Sequence, residues 1–134
     1  VRVSGALQSH VLLNPRSYIG VTKFRNNEGS HECVFFPQQV SGAGHTSGWK
    51  AGGAPTKDTP AGTWIATFVN GKYKGHIGAF ISMDSKGNIT MVDQHNKSGP
   101  SRNGAVQEFT YRNKPDSPNN YISNDASNYR IVLW

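Results

Sequence analysis

Apolar residues fall into a few short runs separated by long polar stretches. The run SHECVFFPQQV over residues 30–40 predicts a short helix, with Ser30 as N-cap and Glu32 in the first turn, where negative charge is favoured. Pro37 has no N–H to offer the Cys33 carbonyl, so a helix begun at Ser30 must be kinked or short, or must start later. Three strands follow: 63–69 (TWIATFV), 76–83 (HIGAFISM) and 89–95 (ITMVDQH). Asp84-Ser85-Lys86-Gly87 is a turn signal between the last two. Residues 129–134 (YRIVLW) read as a closing strand. The segments 41–61 and 96–128 are rich in turn formers and read as loops, the first of them holding Trp49; residues 1–28 show no clear pattern. One helix followed by antiparallel strands argues for the α+β class.

A chain of 134 residues fits one domain, 1–134, and can bury roughly two-thirds of its unfolded surface. Its 35% hydrophobic fraction, with 15 Gly and 7 Pro, suits a loop-rich globule. No stretch approaches the ~20 apolar residues of a membrane span. No signal peptide is visible and the sequence opens on Val1, as a mature or trimmed form would. A net charge of +6 is spread along the chain, without the dense basic run of a nucleic-acid tail. Such a charge favours polyanionic surfaces, a cell wall among them. One cysteine excludes an internal disulfide and leaves the compartment open.

That cysteine, Cys33, would lie in the first turn of the predicted helix. Unpaired N–H groups and the positive end of the helix dipole favour a thiolate there, and the same groups can hold an oxyanion. A thiol nucleophile also needs a histidine to take its proton. Of His10, His31, His45, His76 and His95, the most informative is His76, which opens a strand after Gly75. Small Gly78, two residues on, shares its face and leaves room for another group. The third residue, to orient the imidazole, should come from Val92-Asp93-Gln94-His95 on the next strand. A two-residue turn at Ser85-Lys86 puts His76 opposite His95 and Gly78 opposite Asp93. A three-residue turn brings Gln94 to His76 instead. His31 is expected on the exposed side of the helix start and His45 in solvent. Trp64, Phe68 and Phe80 are expected in the core, and Trp49 either packs there or walls a groove. No zinc spacing, phosphate loop or G-x-S-x-G elbow is present, so neither a metal nor a cofactor is expected.

The segments ECV (32–34), WKAG (49–52), GTWIATFVNGKY (62–73), GHIGAF (75–80) and VDQH (92–95), with the tail SNDASNYRIVLW, recur in a definite order across residues 28–134. This order resembles the NlpC/P60 and CHAP superfamily of papain-like cysteine peptidases and amidases. It is most similar to the BPSL0067 family and to type VI secretion amidase effectors, which attack bacterial peptidoglycan. The resemblance implies a papain-like fold in which an N-terminal helix carrying the cysteine packs on a small antiparallel sheet. It also implies Cys33 as nucleophile, His76 as general base, and Asp93, ahead of His95, as the orienting residue. The implied activity is hydrolysis of an amide in the stem peptide or crosslink of peptidoglycan. The implied place is outside the producing cell or in a target cell's periplasm, with an immunity or inhibitor protein as a candidate partner; a monomer is the default expectation. Two other readings use the same scaffold: a wall-binding module contacting its ligand through Trp49 and Tyr73, and an acyl transferase using the same triad.

Overall fold

The computed structural model describes residues 7–95, 104–115 and 121–134. Lys97 and Arg102, and parts of the expected 96–128 loop, lie outside the described residues. The strands are β1 (Lys50–Ala51), β2 (Trp64–Val69), β3 (Lys72–Met83), β4 (Ile89–Asp93), β5 (Gln107–Tyr111) and β6 (Tyr129–Leu133). They form one sheet in the order β1-β6-β2-β3-β4-β5, and every neighbouring pair is antiparallel. A single α-helix, α1 (Phe35–Ser41), completes this mixed αβ architecture.

The helix is shorter than expected and starts later. Ser30 does not cap it, and Cys33 with Val34 forms the turn that leads into it. Pro37 explains the shift. With the helix opening at Phe35, Pro37 is its third residue, where a backbone N–H has no intrahelical partner to lose. The cysteine therefore sits just ahead of the helix, and the helix is a minor element. The two expected loops also hold strands. Lys50 and Ala51 pair with Leu133 and Val132, and β5 extends the sheet beyond β4.

Alternation along the strands sorts the core onto two faces. Phe24, Phe36, Trp64, Ala66, Ile77, Ala79, Val92 and Val132 pack together on the face that α1 covers. Ile65, Phe80, Ile89, Met91, Tyr111 and Tyr129 pack on the other. Fully burying a side chain of this kind stabilises by about 1.5–3 kcal/mol. Trp64 and Phe80 are in this core as expected, whereas Phe68 is only half-buried.

Two irregularities in β3 set the geometry of the site. At the β2 side, Ala66 faces Ile77 but Phe68 faces Tyr73, so Lys74, Gly75 and His76 together oppose Thr67. Such a bulge bends the strand and re-aims the side chains beside it. Gly75 adopts φ +112°, and a Cβ there would lie 2.3 Å from Thr67 Oγ1. At the β4 side, Met83 faces Ile89 and Ser82 faces Thr90, but Phe80 faces Met91 and Ala79 faces Val92. The extra residue is Ile81. The turn is thus neither of the two expected: a five-residue turn is followed by a bulge. Beyond that bulge the frame is the one a two-residue turn would give, with Gly78 opposite Asp93 and His76 opposite His95.

Candidate active site

The structure brings Cys33, His76, Asp93 and His95 to one end of the sheet. Cys33 and His76 line a cleft of about 340 Å³ with Glu32, Tyr73, Gly75 and His95. His76 is nearly buried and Asp93 completely so, while Cys33 is half-buried. The His76 Nε2–H donates to Asp93 Oδ2 over 2.6 Å. That leaves Nδ1 as the ring nitrogen to serve the Cys33 thiol, which lines the same cleft. The His76 backbone N–H is held by Thr67 Oγ1 at 3.1 Å, which fixes the imidazole from behind.

Asp93 is gripped from β5. Gln107 Nε2 donates to its Oδ1 over 3.0 Å, and the Tyr111 hydroxyl donates to Oδ2. The Tyr111 oxygen also lies 3.3 Å from His76 Nε2 and accepts from His95 Nε2 at 3.0 Å. The His95 ring stacks on His76, with centroids 4.5 Å apart and planes 9° from parallel. Its Nε2 is 3.8 Å from Asp93 Oδ2, so Asp93 rather than His95 makes the direct bond to His76. Gly78 makes this possible, because a Cβ there would lie 2.6 Å from Met91 Sδ and 3.1 Å from Asp93 Cβ. The room that Gly78 leaves is taken by the neighbouring strand.

Charge follows the geometry. Burial drives the Cys33 thiol towards its neutral form, but the bond and charge of His76, the Tyr73 hydroxyl and the Ile77 backbone N–H outweigh it. The thiol pKa is therefore held below the ordinary 9.0. For His76, burial favours the neutral ring. The Asp93 carboxylate, the bond to it and Cys33 prevail, raising the pKa to about 10. Asp93 is held below the ordinary carboxylate range: burial opposes ionisation, and the His76 charge more than offsets it. Both shifts favour a thiolate beside an imidazolium. His95 shifts the other way, first through burial and then through the charge of His76, and both favour its neutral form.

Gln94 turns away from His76. Its Nε2 donates to the carbonyls of Phe24 and Glu32, at 2.8 and 2.9 Å, and so ties β4 to the residue before Cys33. His31 is buried rather than exposed, with Nε2 2.7 Å from the Thr22 carbonyl. A Cβ at Gly104 would overlap its ring. His45 is exposed as expected, and His10 stacks on Trp134 at 4.2 Å, away from the cleft. Trp49 is 1% exposed, donates to the Ala43 carbonyl and packs edge-on against Tyr73.

Tyr73, Gln107 and Tyr111 were not picked out from the sequence as parts of the triad's surroundings. Tyr73 places its hydroxyl 3.3 Å from Cys33 Sγ, and burial followed by the thiolate charge raises its pKa far above the ordinary phenol value. It remains an O–H donor at any working pH. Gln107 and Tyr111 lie in QEFTY, where aromatic and β-branched residues gave a strand signal inside an apparent loop. A donor set of His76, Asp93 and His95, with ligand atoms within 4.8 Å of one another, is of a kind that can hold a divalent ion. Its Asp93 oxygen is engaged by His76 and Tyr111.

Residues 4–129 match the family described as domesticated amidase effector 2. The chain belongs to that family. It is similar to a type VI secretion amidase effector 2 protein of Salmonella typhi, 34% identical over 91 residues, which are 63% of this chain and 66% of the relative. That alignment takes in just under two thirds of the relative's length. A solved structure of type 6 secretion amidase effector 2 (Tae2) superposes with a TM-score of 0.74 at 29% identity, covering 92% of this chain and 93% of the other. The domesticated amidase effector 2 match extends across the Cys33, His76 and Asp93 segments alike.

Proposed function

We propose that this chain is a cysteine amidase, a single domain with a papain-like fold, that hydrolyses an amide bond in the stem peptide or crosslink of bacterial peptidoglycan. The observation that carries this reading is His76 hydrogen-bonded to the buried Asp93 while it lines one cleft with Cys33. The names of the relatives support the amide-hydrolysing half of it.

In this reading the Cys33 thiolate attacks the carbonyl carbon, and the Tyr73 O–H stabilises the developing oxyanion. The His76 imidazolium gives its proton to the leaving amine. Neutral His76 then takes a proton from water, whose attack on the thioester releases the acid and regenerates the thiol pair. Asp93 stabilises the imidazolium and fixes its ring, with Gln107 and Tyr111 holding the carboxylate. The helix N-terminus plays a smaller part than the sequence suggested, because the Phe35 N–H already bonds the Glu32 carbonyl. A wall-binding module resting on Trp49 is disfavoured by the burial of that ring. Action in a target cell's periplasm, opposed by an immunity protein, follows if the chain is delivered as a type VI effector.

The test is digestion of purified peptidoglycan by the wild-type chain and by Cys33→Ala, with fragments identified by mass spectrometry. New muropeptides from the wild type alone are expected, and their masses name the bond. An active Cys33→Ala chain would overturn the mechanism.

A further inference from the structure

Beside the cleft that holds Cys33 lies a second cavity of about 280 Å³, lined by Thr46, Ser47, Trp49, Lys50, Lys72 and Tyr73. Tyr73 lines both, so one substrate can run from the thiol across the tyrosine into the second cavity. Lys50 and Lys72 come from segments far apart in sequence, β1 and the start of β3, and both are exposed. Among the described residues neither is paired with a carboxylate. The cleft over the thiol has the opposite character, since exposed Glu32 lines it. The groove is therefore polar along its length, acidic at the thiol and basic beyond Tyr73.

We infer that Lys50 and Lys72 form a carboxylate-binding subsite, which admits the free carboxylate of a peptide substrate on the far side of Tyr73 from Glu32. The inference rests on Cys33 being the nucleophile of an amide hydrolase, and it adds which end of the peptide lies where. The Asn70-Gly71 turn, both residues with positive φ, makes the tight hairpin that holds Lys72 at the cavity. The packing of Trp49 against Tyr73 supplies a rigid wall to the cavity that the two lysines line.

Two affinity labels test it: bromoacetyl-D-alanyl-D-alanine and the same compound with a C-terminal carboxamide. Each alkylates the thiolate by forming an S–C bond as the C–Br bond breaks and bromide leaves. A two-residue arm reaches roughly 7 Å, enough to pass Tyr73. The wild type should be labelled roughly five- to tenfold faster by the carboxylate than by the carboxamide at low ionic strength. In about 0.5 M salt the preference should fade. In a Lys50→Ala, Lys72→Ala chain the two rates should be equal. Equal rates in the wild type, or a preference that survives in the double variant, would overturn the subsite. Peptidoglycan digestion is read separately: a chain that leaves peptidoglycan intact yet shows the lysine-dependent ratio refutes the hydrolase and retains the subsite.

Discussion

The opposite pKa shifts of His76 and Cys33 have a thermodynamic signature. The raised pKa of His76 contributes stability that is complete below the ordinary 6.5 and is lost as pH rises through about 10. The lowered pKa of Cys33 contributes stability that is complete above the ordinary 9.0 and is lost as pH falls through the folded value. As pH rises, the gain from Cys33 opposes the loss from His76, so the pair flattens the pH dependence of the thermal midpoint. In Cys33→Ala only the His76 contribution remains, because Asp93 still raises its pKa. From pH 6.5 upwards, the thermal midpoint should decline less steeply for the wild type than for the variant. Equal slopes in the two chains would mean that the two groups are not coupled.

At the scale of elements, the site depends on how closely β3 and β4 approach. Gly78→Ala puts a methyl group against Met91 Sδ and Asp93 Cβ. Met91 can swing aside, but Asp93 is fixed by three partners, so the strand must shift. We expect a loss of about 1–3 kcal/mol in chemical denaturation. Amidase activity should fall further than that loss explains, since the His76–Asp93 bond lengthens. Unchanged stability and activity would show that the pair tolerates a looser sheet. The same strands show what was legible in the sequence. Apolar alternation marked β2, β3, β4 and β6 to within a few residues, and the Gly-His motif with Asp93 on the next strand followed from it. The bulge at Ile81 was not legible, because a β-bulge leaves composition unchanged. The signal of β5 was faint, since this half-exposed edge strand has aromatic and β-branched residues but lacks the continuous apolar run of its neighbours. The helix start was misplaced because Ser30 offers a good cap, while the constraint from Pro37 was the stronger one.

Across the whole molecule, a net charge of +6 should draw the chain to an anionic wall. Digestion of intact sacculi should therefore slow several-fold between low salt and about 0.5 M, where surface charges are screened. Alkylation of Cys33 by neutral iodoacetamide should be insensitive to the same change. A digestion rate independent of salt would assign the charge to something other than substrate capture. In the proposed mechanism the sheet, the bulge at Gly75 and the grip of β5 on Asp93 all serve one condition, a thiolate at Cys33 held by protonated His76. The most direct measurement of that condition is the pH dependence of iodoacetamide modification in the wild type and in His76→Ala. The wild type should already react in mildly acidic solution, with a midpoint below 9.0, and the variant should follow an ordinary thiol with a midpoint near or above 9.0. A wild-type rate that rises only as pH approaches 9.0 would contradict the thiolate–imidazolium pair, and with it the proposed chemistry.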